Sequence, residues 1–406
     1  MPDHPTDDRV RLTDGRFWAS DPHEELAWMR ANAPVYWDAA GQTWGIARYD
    51  DVLGVSRASQ TFSNAGGIRP DNPPLRHMID LDDPEHKRRR NLVNRGFTRL
   101  RVAEREPRLR EICVELIERV QRRGTFDFVM DLAAWLPLIT IGDMLGVEPD
   151  AYDDLLRWSD DLIRGTGAVS VEAMERAVTS YDAYNVYQRR VIADRRAKPL
   201  QNDLVSVLVH AEIDGERLTD EQILEESLLI LIGGDETTRH VITGGMYELF
   251  RQPAQRAALA ADPGMIPTAV EEMLRWVTPI KNMARTATRD VTLRGQRIAA
   301  GQKLVLLYPS ANRDDAVFPN PMRFDVRRTP NEHLAFGYGA HFCLGASLAR
   351  LELRVFFEEV LVRLPALRLA SDGPLARRIS NFISGFETMP VTTEPSSTMT
   401  ARHLNS

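Results

Sequence analysis

The chain has 406 residues, with 51 basic and 58 acidic side chains and a formal charge of −7. That length buries enough surface to fold without cross-links. The two cysteines, Cys113 and Cys343, exclude a disulfide framework and fit a reducing compartment. The acidic balance speaks against a general nucleic-acid binder.

The opening Met1-Pro2-Asp3-His4 is polar, with no apolar signal core behind it. The longest strongly apolar run, Leu228 to Ile232, is far too short to span a bilayer. These features lead us to expect a cytoplasmic monomer with no membrane span. Residues 1 to about 15 and 394–406 read as loosely held termini. Strands are expected at Pro34–Trp37 and Thr43–Ala47, across a turn at Gly41. Helical periodicity then dominates from Asp83 to Arg275. A second β signal runs Val291-Thr292-Leu293, turns at Arg294-Gly295, and resumes at Lys303 to Leu307. Residues 309–336, rich in Pro, Asn, Arg and Asp, read as a long structured coil. There is no repeat and no Pro/Gly/Ser linker. The expected architecture is one domain over 1–406, mainly α with a minor β part.

Thr219 and Gln222 form a capping-box signature that opens a helix running to about Phe250. Its middle reads Gly233-Gly234-Asp235-Glu236-Thr237-Thr238, beside the most apolar stretch of the chain. Two glycines inside a helix cost roughly 1 kcal/mol each relative to alanine. One reading is a surface turn between two shorter helices. The other is a groove where something large lies against the backbone. Gly233 and Thr237 share a face with Leu229 and Ile232, and the Thr237 hydroxyl can bond back to the Gly233 carbonyl. Glu236 beside it is suited to moving protons toward a buried site.

Pro267-Thr268 opens another helix and Pro279 ends it. Glu272 and Arg275 lie three apart on one of its faces. Taken alone, they read as a common surface ion pair.

The strongest signal is Phe336-Gly337-Tyr338-Gly339-Ala340-His341-Phe342-Cys343-Leu344-Gly345, followed by a helical pattern from Ala346. A cysteine at a helix N-terminus meets unpaired N–H groups and the positive dipole end, which favour thiolate. Glycines let backbone fold beneath a flat ligand, and Phe336 and Phe342 can wall the sulfur from water. The lack of a second nearby cysteine, with His341 as a single further candidate, speaks against zinc. A single thiolate in such a loop suits the axial ligand of haem iron. Cys113, within Ile112-Cys113-Val114, reads as a buried core thiol.

With these motifs the chain resembles the cytochrome P-450 superfamily of haem-thiolate monooxygenases. The likeness covers nearly the whole chain. It implies haem b between the long central helix and the Cys343 loop and helix, with O2 as co-substrate. It makes Glu236 and Thr237 the catalytic acid–alcohol pair. Glu272, Arg275 and Arg328 become a buried structural cluster. It implies that His86, Arg90, Arg285 and His341 hold the haem propionates, with Phe336, Gly337 and Gly345 as further cofactor contacts. No flavin or nicotinamide motif is present, so electrons are expected from a ferredoxin and its reductase. The run Lys87-Arg88-Arg89-Arg90, with Arg95 and Arg99, reads as a nucleic-acid patch, a solvated helix face, or, by the resemblance, a docking face for an acidic ferredoxin.

A narrower likeness concerns substrate. Phe62–Pro70, Met78–Asp80, Leu229–His240, Pro279–Met283 and Asn381–Gly385 are similar to the actinobacterial branch that oxidises the terminal methyl of cholesterol or cholest-4-en-3-one, in part on to the acid. It implies that Met78, Ile79, Leu229, Ile232, Gly233, Thr237, Pro279, Ile280 and Phe382 contact substrate. Each apolar one is equally at home in an ordinary core. The alternatives are a hydroxylase of methyl-branched fatty acids or another apolar lipid, and a haem-thiolate sensor or binding protein.

Overall fold

The computed structural model describes residues 4–166, 170–213 and 215–393. Five helices and five strands frame the interior. The helices are α1 (Glu85–Val93), α2 (Trp135–Leu145), α3 (Asp220–Arg251), α4 (Ile266–Val277) and α5 (Ala346–Arg363). The strands are β1 (Val35–Asp38), β2 (Thr43–Ile46), β3 (Phe62–Ser63), β4 (Asn282–Ala287) and β5 (Lys303–Leu307).

Helix α3 is continuous over 32 residues, about 48 Å, so the two-helix reading of its middle falls away. Its start is set locally: Thr219 Oγ1 accepts from Gln222 N at 3.2 Å, and Gln222 Oε1 accepts from Thr219 N at 3.0 Å. Helices α2, α4 and α5 pack around α3. The helices Tyr152–Thr166 and Val171–Ala197 pair with each other and lie over it. The largest apolar core surrounds α3 and runs from Met78 to Val391.

The strands order β1-β2-β5-β4-β3 in one sheet. Only β2 and β5 are parallel, with Trp44 opposite Leu304; the other pairs are antiparallel. This corrects the second β signal. Val291–Leu293 pairs with Gln296–Ile298 in its own hairpin, and β5 pairs instead with β2 and β4. The signal in β4 went unseen because its neighbours are distant in sequence. The expectation of a loose segment up to about residue 15 is corrected for residues 4–15. Val10 and Leu12 are fully buried, and Leu12 N donates to Asp38 Oδ2 at 2.7 Å. Residues 394–406 lie outside the described residues.

After a short turn of helix at Tyr308–Ala311, the chain runs without a regular element to Gly339. Glu272 holds this coil. Its carboxylate is fully buried and accepts from Arg275 Nε (2.7 Å), Arg275 Nη2 (2.8 Å), Arg328 Nε (3.0 Å), Asn331 Nδ2 (3.2 Å) and Asp325 N (2.9 Å). Arg275 Nη1 also donates to the carbonyls of Asn312 and Pro321. The surface-pair reading of Glu272 and Arg275 is thereby replaced. Replacing Glu272 by alanine leaves two buried guanidiniums without their carboxylate, so Glu272→Ala should lose about 3–5 kcal/mol of stability in chemical denaturation. A loss below about 1 kcal/mol would make the cluster a solvated pair.

Candidate functional site

A cavity lies between α3 and the loop entering α5. On one side the Cys343 loop is shaped by its own hydrogen bonds. Cys343 N donates to Phe336 O at 2.9 Å, and Gly337 N to Leu334 O at 2.9 Å. Gly339 has φ +78°, and a Cβ there would stand 2.6 Å from Ser56 O, so only glycine fits. Phe336 and Phe342 meet edge to face at 6.2 Å, and Arg350 covers Phe336 at 4.6 Å. Arg350 is fixed in turn by Glu271 at 2.7 Å.

Cys343 lines the cavity. Its thiol was expected to favour ionisation, but burial pushes it up, against the pull of the Gly345 N–H, Arg90 and Arg350. Burial thus opposes the thiolate form that the helix N-terminus favours. Cys113 is buried, pushed up to about 12 by that burial, and lies in the core as expected.

On the opposite wall stand Gly233, Gly234, Thr237, Thr238 and Val241 of α3. The two glycines act differently. A Cβ at Gly234 would strike Ile141 at 2.5 Å, so this position lets α2 approach; a Cβ at Gly233 would meet nothing within 4 Å, because that position faces the cavity. Thr237 Oγ1 donates to Gly233 O at 2.8 Å. Glu236 does not line the cavity. Its buried carboxylate is held by Arg239 and by Arg378 at 2.7 Å, with the His240 ring beside it. The reason is angular: one residue is a rotation of about 100° around a helix, which turns Glu236 away from the face of Thr237.

His86, Arg90, Arg285 and His341 all line the cavity. The His86 and His341 rings lie 4.0 Å apart, tilted by 31°. His86 Nδ1 meets Asp83 Oδ1 at 3.1 Å, while its buried Nε2 has no partner. Burial first, then the charges of His86, Arg285 and Arg90, hold His341 down at about 2. Arg285 is buried, donating to Ala284 O at 2.8 Å and hydrogen-bonded to Tyr308. Such a cluster, rich in donors and poor in carboxylates, wants an anion. The thiol, the open plane at Gly233 and Gly345, the aromatic wall and the donors with an orphaned imidazole nitrogen together fit haem with its propionates. Phe336, Gly337 and Gly345 border the same space.

A second, smaller cavity adjoins the first, sharing Ile79, Leu229, Gly233, Thr237, Ile280 and Met283. Between them the two hold every position expected to contact substrate: Met78 and Pro279 line the first, Ile232 and Phe382 the second. The basic run is divided. Arg88 and Arg89 are committed to Glu85, Glu216 and Glu226, and Arg90 donates to Phe342 O. Lys87, Arg95 and Arg99 are left exposed.

Other side chains at the site gave no sequence motif. Tyr308 lines the main cavity from the short helix after β5, and Arg378 reaches Glu236 behind it from the C-terminal loop. Glu226 carried a readable signal: it lies seven before Gly233, on the same face of α3. It accepts from Met78 N at 2.9 Å and Arg89 Nη1 at 3.3 Å, and burial raises it to about 7. Glu352, on α5, lines the main cavity beside Thr140 and Thr238. Burial raises it from 4.5 to about 8.

The raised Glu352 value has a definite sign for stability. Between these two values the folded protein keeps a proton that the unfolded chain releases, so rising pH favours unfolding. The wild type should lose on the order of a few kcal/mol relative to Glu352→Gln as pH rises from about 5 to about 8. Parallel stability curves for the two proteins would show a solvated carboxyl.

Comparisons with known proteins agree with this geometry. Residues 265–367 match the family described as Cytochrome P450. The steroid C26-monooxygenase of Mycobacterium tuberculosis is 53% identical over 390 residues, covering 95% of this chain and 98% of that protein. The methyl-branched lipid omega-hydroxylase of Mycobacterium bovis is 39% identical, covering 93% and 92%. Among solved structures, CYP109E1 from Bacillus megaterium in complex with testosterone superposes with a TM-score of 0.84 at 33% identity, covering 92% of this chain and 99% of that one.

Proposed function

The chain belongs to the cytochrome P450 family, and on that premise we propose that it hydroxylates the terminal methyl of a sterol side chain, cholesterol or cholest-4-en-3-one, in part on to the acid. The observation that carries this reading is the pair of joined cavities. A mostly apolar passage leads from the loops at 68–80 and 380–383 to Gly233 and Thr237, opposite Cys343. Its joined form suits a long apolar molecule that presents one end. The 53% identity to a steroid C26-monooxygenase supports the same substrate class over the 39% identity to a methyl-branched lipid hydroxylase.

Haem b, bound in the larger cavity, supplies oxygen activation and the oxidising power for the C–H bond. The chain supplies position, protons and exclusion of water. Cys343 would hold the haem iron through its sulfur, with the Gly345 N–H beside it. His86, Arg90, Arg285 and His341 are assigned to the propionates. Gly233 lets a substrate end and O2 lie close to α3. Thr237 holds a proton at Oγ1 and can turn it from the Gly233 carbonyl into the cavity. Glu236 is assigned as the proton source behind it, in reach only when its carboxylate leaves Arg239 and Arg378.

Members of this family take electrons from redox partners, and we assign a ferredoxin. The exposed Lys87, Arg95 and Arg99, with exposed Phe342 on the Cys343 loop, suit an acidic partner steered by charge. Among the described residues no helix is long and apolar enough to cross a membrane. We read the chain as one domain acting in the cytoplasm, which its two free thiols support.

Titration of the ferric holoprotein with cholest-4-en-3-one should give a saturable low-spin to high-spin shift. An unmoved haem spectrum would remove the sterol reading and bring methyl-branched fatty acids forward. Thr237→Ala should still bind haem and sterol but divert most consumed reductant to hydrogen peroxide, lowering product per electron about tenfold or more. Wild-type coupling in that variant would end the proton role of Thr237.

A further inference from the structure

The smaller cavity is not uniformly apolar. At the end away from Cys343 it is lined by Arg69, Asn72, His77 and Asp80. Arg69 stands out among these. Its guanidinium lies over the Phe382 ring at 4.8 Å and, among the described residues, has no hydrogen bond or ion pair. Asp80 acts on it by charge but is hydrogen-bonded elsewhere: Oδ1 accepts from Ile68 N at 2.8 Å and Oδ2 from Leu75 N at 2.7 Å.

The loop carrying Arg69 is held firmly. Lys303 Nζ donates to the carbonyls of Arg69 (3.0 Å) and Pro70 (3.3 Å). Ala284 N donates to Ile68 O at 2.6 Å, which joins the loop to β4. Asn381 Nδ2 donates to Asp71 Oδ2 at 2.8 Å, which joins it to the Phe382 loop. A fixed donor fork with unspent hydrogen-bonding capacity therefore faces the outer end of the passage.

We propose that Arg69 is a specificity-determining residue that donates to an acceptor oxygen on the ring end of the substrate, remote from the methyl group that is oxidised. This rests on the sterol reading and deepens it. A sterol whose side-chain terminus reaches Thr237 must leave its ring oxygen near the opening. An oxygen buried there without a donor carries a desolvation penalty. The surrounding charge favours a neutral oxygen over a carboxylate. Two cations, Arg69 and Lys303, already sit among two acids, Asp71 and Asp80, and His77 is held neutral by burial. Because the fork is fixed, the same contact sets how far the chain end reaches, and so which carbon is attacked.

The test compares cholest-4-en-3-one with cholest-4-ene, the same hydrocarbon without the ring oxygen, by spin-state titration of the holoprotein. The wild type should bind the ketone about tenfold or more tighter, and Arg69→Met should bring the two ligands within about twofold of each other. Arg69→Lys should keep part of the preference. In Arg69→Met the product should also spread from the terminal carbon to its neighbours. An unaltered carbon monoxide spectrum in each variant reports an intact haem pocket. An unchanged preference in Arg69→Met would overturn the assignment while leaving the sterol reading in place. If neither compound perturbs the wild type, the sterol premise fails and the assignment with it. A methyl-branched fatty acid that bound more tightly than the ketone, and lost that affinity in Arg69→Met, would hand Arg69 to a carboxylate and overturn the proposal.

Discussion

The buried carboxylate of Glu272 joins two guanidiniums, a side-chain amide and a backbone N–H. Each of these belongs to α4 or to the coil that follows the short helix at Tyr308. That coil has no ladder of its own, so its backbone groups must be satisfied from outside. Glu272, Arg275 and Arg328 do much of this, through the carbonyls of Asn312, Pro319, Pro321 and Arg323. The coil ends where the Cys343 loop begins. Asn312 Oδ1 accepts from Leu334 N at 2.7 Å, which carries the restraint to within two residues of Phe336. The thiol is thus positioned by an ion cluster with no direct contact with it.

The opposite wall obeys a different constraint. Helix α3 must cross the whole interior while giving up side-chain volume at one spot. Gly233 leaves open space there, and Gly234 admits α2. The next turn is pinned from behind. Arg378 reaches Glu236, Asp160 and Glu387 from the C-terminal loop. Gly385 of that loop lies so close to His240 that a Cβ would stand 2.2 Å from the ring. The same loop carries Phe382 into the outer cavity. Substrate-facing and helix-bracing residues therefore share one short segment, and its position couples the passage to the surroundings of Glu236.

Electrostatics separates the two ends of the interior. Around the main cavity, His86, Arg90, Arg285 and His341 gather donors with few acids, an arrangement that suits a bound anion. Around the outer cavity, Arg69 and Lys303 sit among Asp71 and Asp80. The stretch the two cavities share is mostly apolar, formed by Ile79, Leu229, Ile280 and Met283, with the Thr237 hydroxyl as its polar group.

Much of this was legible in the sequence where the determinant is local. The capping box at Thr219, the glycine pair, the Cys343 loop and the hairpin across Gly41 each depend on neighbours a few residues away, and their elements begin and end close to where the spacing put them. The pairing of β5 with β2 and β4 was not legible, since strand partners are chosen by packing across the domain and not by the residues of the strand. The side of α3 that Glu236 faces was open to helical geometry, but its capture by Arg378 was not, because 142 residues separate the two. Arg69 is the same case. Nothing in Gly67-Ile68-Arg69-Pro70 marks a binding residue. Only tertiary structure turns the oxygens of Asp80 to the N–H groups of Ile68 and Leu75, lays Arg69 over Phe382 and leaves its donors facing the passage. A charged side chain's role depends on which opposite charges are already taken, and that is settled only when distant segments meet.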